Sequence, residues 1–146
     1  MSGSGIESFV GHRFPGGRYT IDPAKHALFL KAVDGIPSAD GRAHPIMHFI
    51  ATHAGKGTTF AQLMELIGAP LDAGALFGQE DLEIFRPLKV GETVEVRGAI
   101  VDARSKSGAK TGAFDTLTTS IELVDAGGAV TCRSLETYII PRKEAA

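Results

Sequence analysis

At Gly74 the hydrophobic pattern of this 146-residue chain changes period. Before it, apolar side chains recur every three to four residues, as on one face of a helix; after it they alternate, as in a half-buried strand. Four alternating runs follow, at about 76–86, 92–104, 112–124 and 129–140. In the first, Leu82 and Ile84 oppose Asp81, Glu83 and Phe85. In the second, Val94, Val96 and Ile100 share a face before Val101 and Ala103 shift the phase. Leu117, Ile121 and Leu123 align in the third; in the fourth, Leu135, Thr137 and Ile139 oppose Tyr138 and Ile140. The links, Pro87 to Gly91, Ser105 to Gly108 and Asp125 to Gly128, are turn-length, which predicts an antiparallel meander.

Three helices are expected before Gly74. Asp22 is a good N-cap and Pro23 suits a first helical position. His26, Phe29, Leu30 and Val33 then form one face, with Gly35 as the stop and Pro37 blocking continuation. Ala43 to Ala54 is apolar nearly all round, the signature of a buried helix, with Pro45 in its first turn and Gly55-Lys56-Gly57 ending it. Thr59 to Gln62 has capping-box form and leads an amphipathic helix through Phe60, Leu63, Met64 and Ile67. Tyr19 to Ile21 reads as a short edge strand. One sheet face must be covered, and the helix at 45–54 is the natural cover. The expectation is an α+β fold, with a curved antiparallel sheet wrapped around a central buried helix. Residues 1–18 read as a flexible lead-in, 19–142 as one domain and 143–146 as a tail.

Composition narrows the function classes. The chain is 43% hydrophobic and 22% charged, normal for a globular protein. No apolar run reaches bilayer length, so no membrane association is expected. A net charge of -2 gives no field to recruit nucleic acid. One cysteine, Cys132, allows neither an internal disulfide nor a thiolate zinc site. The first residues lack the basic-then-apolar pattern of a secretory signal, and a cytoplasmic location is expected.

Phe85-Arg86-Pro87, followed by Gly91-Glu92 and a strand, resembles the R-P-x-x-x-G-[DE] signature of MaoC-like hydratases of the hot-dog fold. Ala43-His44-Pro45 is similar to the start of that family's central helix, and the resemblance spans residues 14 to 142. It is nearest to the N-terminal, dehydratase-like half of two-domain and heterodimeric members. The resemblance implies an acyl thioester of coenzyme A or acyl carrier protein as substrate, and water added or removed beside its carbonyl. It implies an Asp and a His as acid and base, and backbone N–H groups at the helix start holding the thioester oxygen. It implies a dimer, homodimer or heterodimer, with a second hot-dog subunit joined edge to edge, and no cofactor is expected.

The sequence departs from that pattern where the family's chemistry resides. The Asp, Asn-Pro, His segment is absent, and the chain contains no asparagine. Gly35 to Arg42 is short for the family's catalytic segment, and Pro45, which has no N–H, stands where catalytic members often carry glycine. The expectation is an acid/base-deficient half that shapes the acyl pocket for a catalytic partner. The alternatives are a self-sufficient homodimeric hydratase or thioesterase using Asp40 and His44, and a non-enzymatic acyl-CoA binding module.

Asp40 and His44, close together at the entrance to the buried helix, are the catalytic candidates. His48, Lys56 and Arg86 are the substrate-binding candidates, the latter two toward a coenzyme A phosphate, against a solvated lysine as the plain reading. His44 and His48 have metal-compatible spacing, but no Glu lies between them as a zincin needs, and no metal is expected. His48 and His53 otherwise read as packed, hydrogen-bonded histidines. Gln79, Asp81 and Glu83 on one side of the first long strand, and Glu80 on the other, read as solvent-facing. Asp115 is expected to pair with Arg97 or Arg133, and Cys132 to be a packed, inert thiol.

Overall fold

The computed structural model describes residues 5–110 and 112–142. Five antiparallel strands form one sheet: β1 (Gly17–Thr20), β2 (Leu76–Ile84), β3 (Thr93–Gly108), β4 (Gly112–Val124) and β5 (Val130–Pro141), in the order β1-β3-β4-β5-β2. The last three pair as consecutive hairpins; β2 reaches the far edge beside β5, and β1 takes the opposite edge beside β3. The phase shift at Val101 is a bulge: the β3–β4 register jumps between Ile100 and Asp102. An extra residue there lets Ile100 and Ala103 both face inward, at 1% and 5% exposure.

Helix α1 (Pro23–Ala32) is capped by Asp22, whose carboxylate accepts from the N–H groups of Ala24 and Lys25. Its end differs from expectation. Asp34, at φ +54°, takes the left-handed position, and the Gly35 N–H closes back on Leu30 O. Val33, at the cap, has turned off the helical face and is exposed rather than core.

Helix α2 (Ile46–Gly55) lies in the curve of the sheet and packs on β1, β3, β4 and β5. Met47, Ala51 and Gly55 are among its buried residues. A Cβ on Gly55 would sit 2.3 Å from Val96 Cγ2, so glycine sets how closely the helix end approaches β3. Helix α3 (Phe60–Leu66) carries both arms of the Thr59/Gln62 capping box. The sheet wrapped around α2 is a hot-dog fold. Among the described residues no helix is long and apolar enough to cross a membrane.

β2 stands apart. It has β5 on one side and, among the described residues, no strand on the other, and eight of its nine residues are exposed. The alternation of Leu82 and Ile84 with Asp81, Glu83 and Phe85 does not divide a buried face from an exposed one here; Leu82, Ile84 and Phe85 are 37%, 42% and 49% exposed.

Candidate functional site

The predicted catalytic segment leads into α2, and its backbone donors are spoken for. The Ala43 N–H donates to Leu88 O at 2.7 Å, and the His44 N–H to Nε2 of buried His26 at 2.9 Å. Pro45 has none. The Ile46 N–H donates to His44 Nδ1 at 3.1 Å, the Met47 N–H to His44 O at 2.9 Å, and the His48 N–H to Pro45 O at 3.1 Å. An ordinary helix start leaves such groups for a ligand or water. Here the residues before the helix, and the first turn itself, use them.

Asp40 and His44 are not joined by a hydrogen bond. The Asp40 carboxylate accepts from the Ser38 hydroxyl and from Arg42 Nε, 2.5 Å away. Those partners, Ser38 first, hold it below the usual carboxylate range although it is solvent-exposed. Gly41, at φ +78°, makes the turn beside this local tie. His44 packs edge-on against Phe29, with its Nδ1 committed to Ile46.

The substrate-binding candidates occupy three different settings. His48 is 2% exposed, its ring nitrogens 3.0 Å from Pro45 O and 3.1 Å from Arg86 O, so it ties α2 to the strand-end signature. The Arg86 guanidinium grips Glu92 with both terminal nitrogens, at 3.1 and 2.5 Å, and reaches Asp125 at 3.1 Å and Pro87 O at 2.7 Å. The Arg-Pro…Gly-Glu signature is thus a brace between the start of β3 and the β4–β5 turn. A cleft of about 810 Å³ opens beside it, lined by Asp40, Arg42, Arg86 and Lys89 among others. Lys56 is no rim lysine: at the C-cap of α2, it is 3% exposed.

Lys56 leads to a cluster that the sequence reading missed. Glu136, on β5, is fully buried. His53 Nε2 lies 3.1 Å from its Oε1, the Tyr138 hydroxyl donates to its Oε2 at 2.8 Å, and Lys56 Nζ stands 4.0 Å from Oε2. The Ser134 hydroxyl bridges Glu80 at 2.7 Å and Glu136 at 3.4 Å. Burial alone would raise the Glu136 pKa; His53, Tyr138 and Lys56 outweigh it and hold the carboxyl below its usual range. Burial lowers the Lys56 pKa, against the pull of Glu136. The His53 Nε2 approach is within ion-pair distance but off the hydrogen-bond direction, so this buried nitrogen has no aligned acceptor among the described residues. The ring stacks obliquely on Phe49 at 4.2 Å, with Phe77 at 6.3 Å.

The arrangement sets the buried Glu136 carboxylate within ion-pair distance of the partly exposed His53 imidazole, a pair of groups of the kind used in proton transfer. His53, Glu80 and Glu136 also bring ligand atoms within 4.8 Å of one another, a set that could hold a metal ion, although Lys56 already supplies Glu136 with a cation. The signal for Glu136 was its phase: it shares a face with Cys132, Tyr138 and Ile140, all buried. Asp115 pairs with neither expected arginine. It accepts from Arg142 Nε at 2.7 Å and from the Ser105 hydroxyl, while Arg97 and Arg133 serve Glu95 and Glu122. Cys132 is buried, and its thiol is pushed up to about 12 by burial and by Glu80.

Residues 8–133 match the family described as the FAS1-like, dehydratase domain region. No curated protein matches the sequence. Among solved structures, the ChsH1–ChsH2 complex from Mycobacterium tuberculosis is similar at a TM-score of 0.68 and 13% identity, over 97% of this chain and 89% of that one. The C-terminally truncated HadBC (3R-hydroxyacyl-ACP dehydratase) complex, also from Mycobacterium tuberculosis, gives 0.61 at 14%, over 90% and 96%. The MaoC-like dehydratase from Rhodospirillum rubrum gives 0.53 at 15%, over 93% and 94%. At these identities the likeness is one of fold.

Proposed function

The chain belongs to the FAS1-like dehydratase domain region family, and from that premise we propose that it is one subunit of a MaoC-like enoyl-thioester hydratase or dehydratase. It shapes the pocket for an acyl group carried on coenzyme A or acyl carrier protein, and a second hot-dog subunit brings the acid/base pair. One observation carries this reading: every backbone N–H from Ala43 to His48 has an acceptor within the chain, and among the described residues no carboxylate is hydrogen-bonded to His44. A thioester oxygen gaining charge would find no backbone donor at this helix start, and a water would find no base polarised by a carboxylate there. The likeness to complexes such as ChsH1–ChsH2 and HadBC supports pairing with a second subunit.

The purified chain alone, given crotonyl-CoA and a longer enoyl-CoA, should leave the enoyl absorbance unchanged. Loss of that absorbance in proportion to enzyme would contradict the proposal. A second reading, a self-sufficient enzyme, is favoured by the His53–Glu136 contact at 3.1 Å. Under it, turnover by the lone chain would disappear in His53→Ala and persist in His44→Ala.

A further inference from the structure

Strands β2, β5 and β4 carry one row of polar side chains across the inner face of the sheet. Glu80 is paired with Glu136, and Glu136 with Thr119. Glu80 is the one residue of β2 that is not exposed, and Glu136 and Thr119 are fully buried. Directly opposed side chains on one face lie about 5 Å apart. Buried polar groups are ordinarily satisfied. Among the described residues two buried side-chain atoms have no hydrogen-bond partner, and both lie beside Glu136: the Thr119 hydroxyl in the row, and His53 Nε2, which meets Glu136 from α2. The two oxygens of Glu136 have different company. Lys56 and the Tyr138 hydroxyl stand at Oε2. His53 Nε2 and the Ser134 hydroxyl stand at Oε1, and the same hydroxyl donates to Glu80.

We propose that His53 Nε2 and the carboxylates of Glu80 and Glu136 bind one divalent transition-metal ion of the zinc class, with water completing the ligand set. An imidazole nitrogen and two carboxylate oxygens are ligands such an ion takes at about 2.0–2.2 Å, which in a tetrahedron separates the ligand atoms by about 3.3–3.6 Å. His53 Nε2 and Glu136 Oε1 are already 3.1 Å apart, and the ligand atoms of all three residues lie within 4.8 Å of one another. A nitrogen this close to a carboxylate, yet out of line for a hydrogen bond, stands as a fellow ligand would. Lys56 and Tyr138 do not compete for the ion. They hold the far oxygen and orient the Glu136 carboxylate, as Ser134 orients that of Glu80. Two carboxylates against one ammonium also leave a net negative charge for a cation to offset. Three protein ligands leave a fourth place for water, and the Thr119 hydroxyl supplies that water with a hydrogen-bond partner.

Calorimetric titration of the full chain with zinc chloride tests this, after stripping with EDTA and at about pH 7.5, where an imidazole is free to bind metal. The wild-type chain should take up one equivalent of zinc, and Glu80→Gln and His53→Gln should each bind it at least about tenfold more weakly. Glu80 is partly exposed, and glutamine keeps an oxygen for Ser134, so that variant should fold; circular dichroism checks both. Cobalt in place of zinc should give the wild type the strong visible bands of a four-coordinate site, and neither variant should show them. No saturable uptake of zinc by the wild type, or no such bands with cobalt, would overturn the proposal and leave the cluster as an ion pair closed by an imidazolium. Uptake undiminished in both variants would overturn it as well, by placing the metal elsewhere on the chain. These readouts use no thioester and do not involve the start of α2, so this inference and the proposed function can fail separately.

Discussion

Glu136→Gln removes the charge from the centre of the buried cluster while keeping its volume. The Lys56 ammonium, 3% exposed, would lose the carboxylate 4.0 Å away, and Tyr138 would donate to an amide oxygen instead of a carboxylate. Breaking a buried pair by removing one partner costs about 3–5 kcal/mol, because the surviving charge is left uncompensated. The lower end applies here, since His53 is partly exposed and Glu80 stands nearby, so the expected loss is about 3 kcal/mol. For a chain of this length that lowers Tm by roughly 6–12 °C. Lys56→Met in the same background should recover part of it, with a coupling energy of at least about 1 kcal/mol across the cycle. Urea unfolding of the four proteins at neutral pH measures both quantities. The sign with pH follows from the lowered Glu136 pKa: its contribution is present above the usual carboxylate range and is lost as pH falls through the folded value. Wild type and Glu136→Gln should therefore converge in acid. A loss below about 1 kcal/mol, or a double variant no more stable than Glu136→Gln, would refute the view that this cluster is a coupled charge network.

Other expectations follow from single contacts. Arg142→Ala should cost about 2–3 kcal/mol in urea unfolding, because Asp115 is 7% exposed and Arg142 also donates to the Ile67 and Gly68 carbonyls at the end of α3. Arg86→Lys cannot reproduce the two-pronged grip on Glu92 and should lose about 1–2 kcal/mol, whereas a purely ligand-facing arginine would tolerate the change. Gly55→Ala should destabilise by about 1–3 kcal/mol through the clash with Val96, and Gly55→Ala/Val96→Ala should regain part of it. Cys132 should resist alkylation at pH 8 in the folded chain and react on unfolding, because its thiol is buried and held toward 12.

The fold was legible because local signals and long-range packing agree. Asp22 and Thr59 cap where their side chains can reach free N–H groups, the period changes at Gly74, and the break at Val101 is a bulge. The site was less legible for a physical reason. Asp40 and His44 are neighbours in sequence, but the chain bends at Gly41 and Asp40 turns to Arg42. In β5 both faces carry apolar residues, so alternation alone does not say which is buried; Leu135 is 37% exposed while Glu136 is fully enclosed. Nothing local signals that Lys56 and His53, some eighty positions earlier, will supply its counter-charges. That proximity comes from α2 lying across β5, a tertiary fact. The Arg86 signature was recognisable from sequence, and the structure reveals the ion-pair brace that it builds.

The account turns on the closed start of α2, and amide hydrogen exchange at Ile46, Met47 and His48 reads that directly. First-turn amides of a helix ordinarily exchange fast, because they have no acceptor within the helix. With acceptors at His44 Nδ1, His44 O and Pro45 O, these three should be protected in the free chain and unchanged when octanoyl-CoA is added. Rapid exchange in the free chain, slowed by the thioester, would mean that the donors are available to a substrate oxygen and would contradict the reading of this chain as the half without its own catalytic centre.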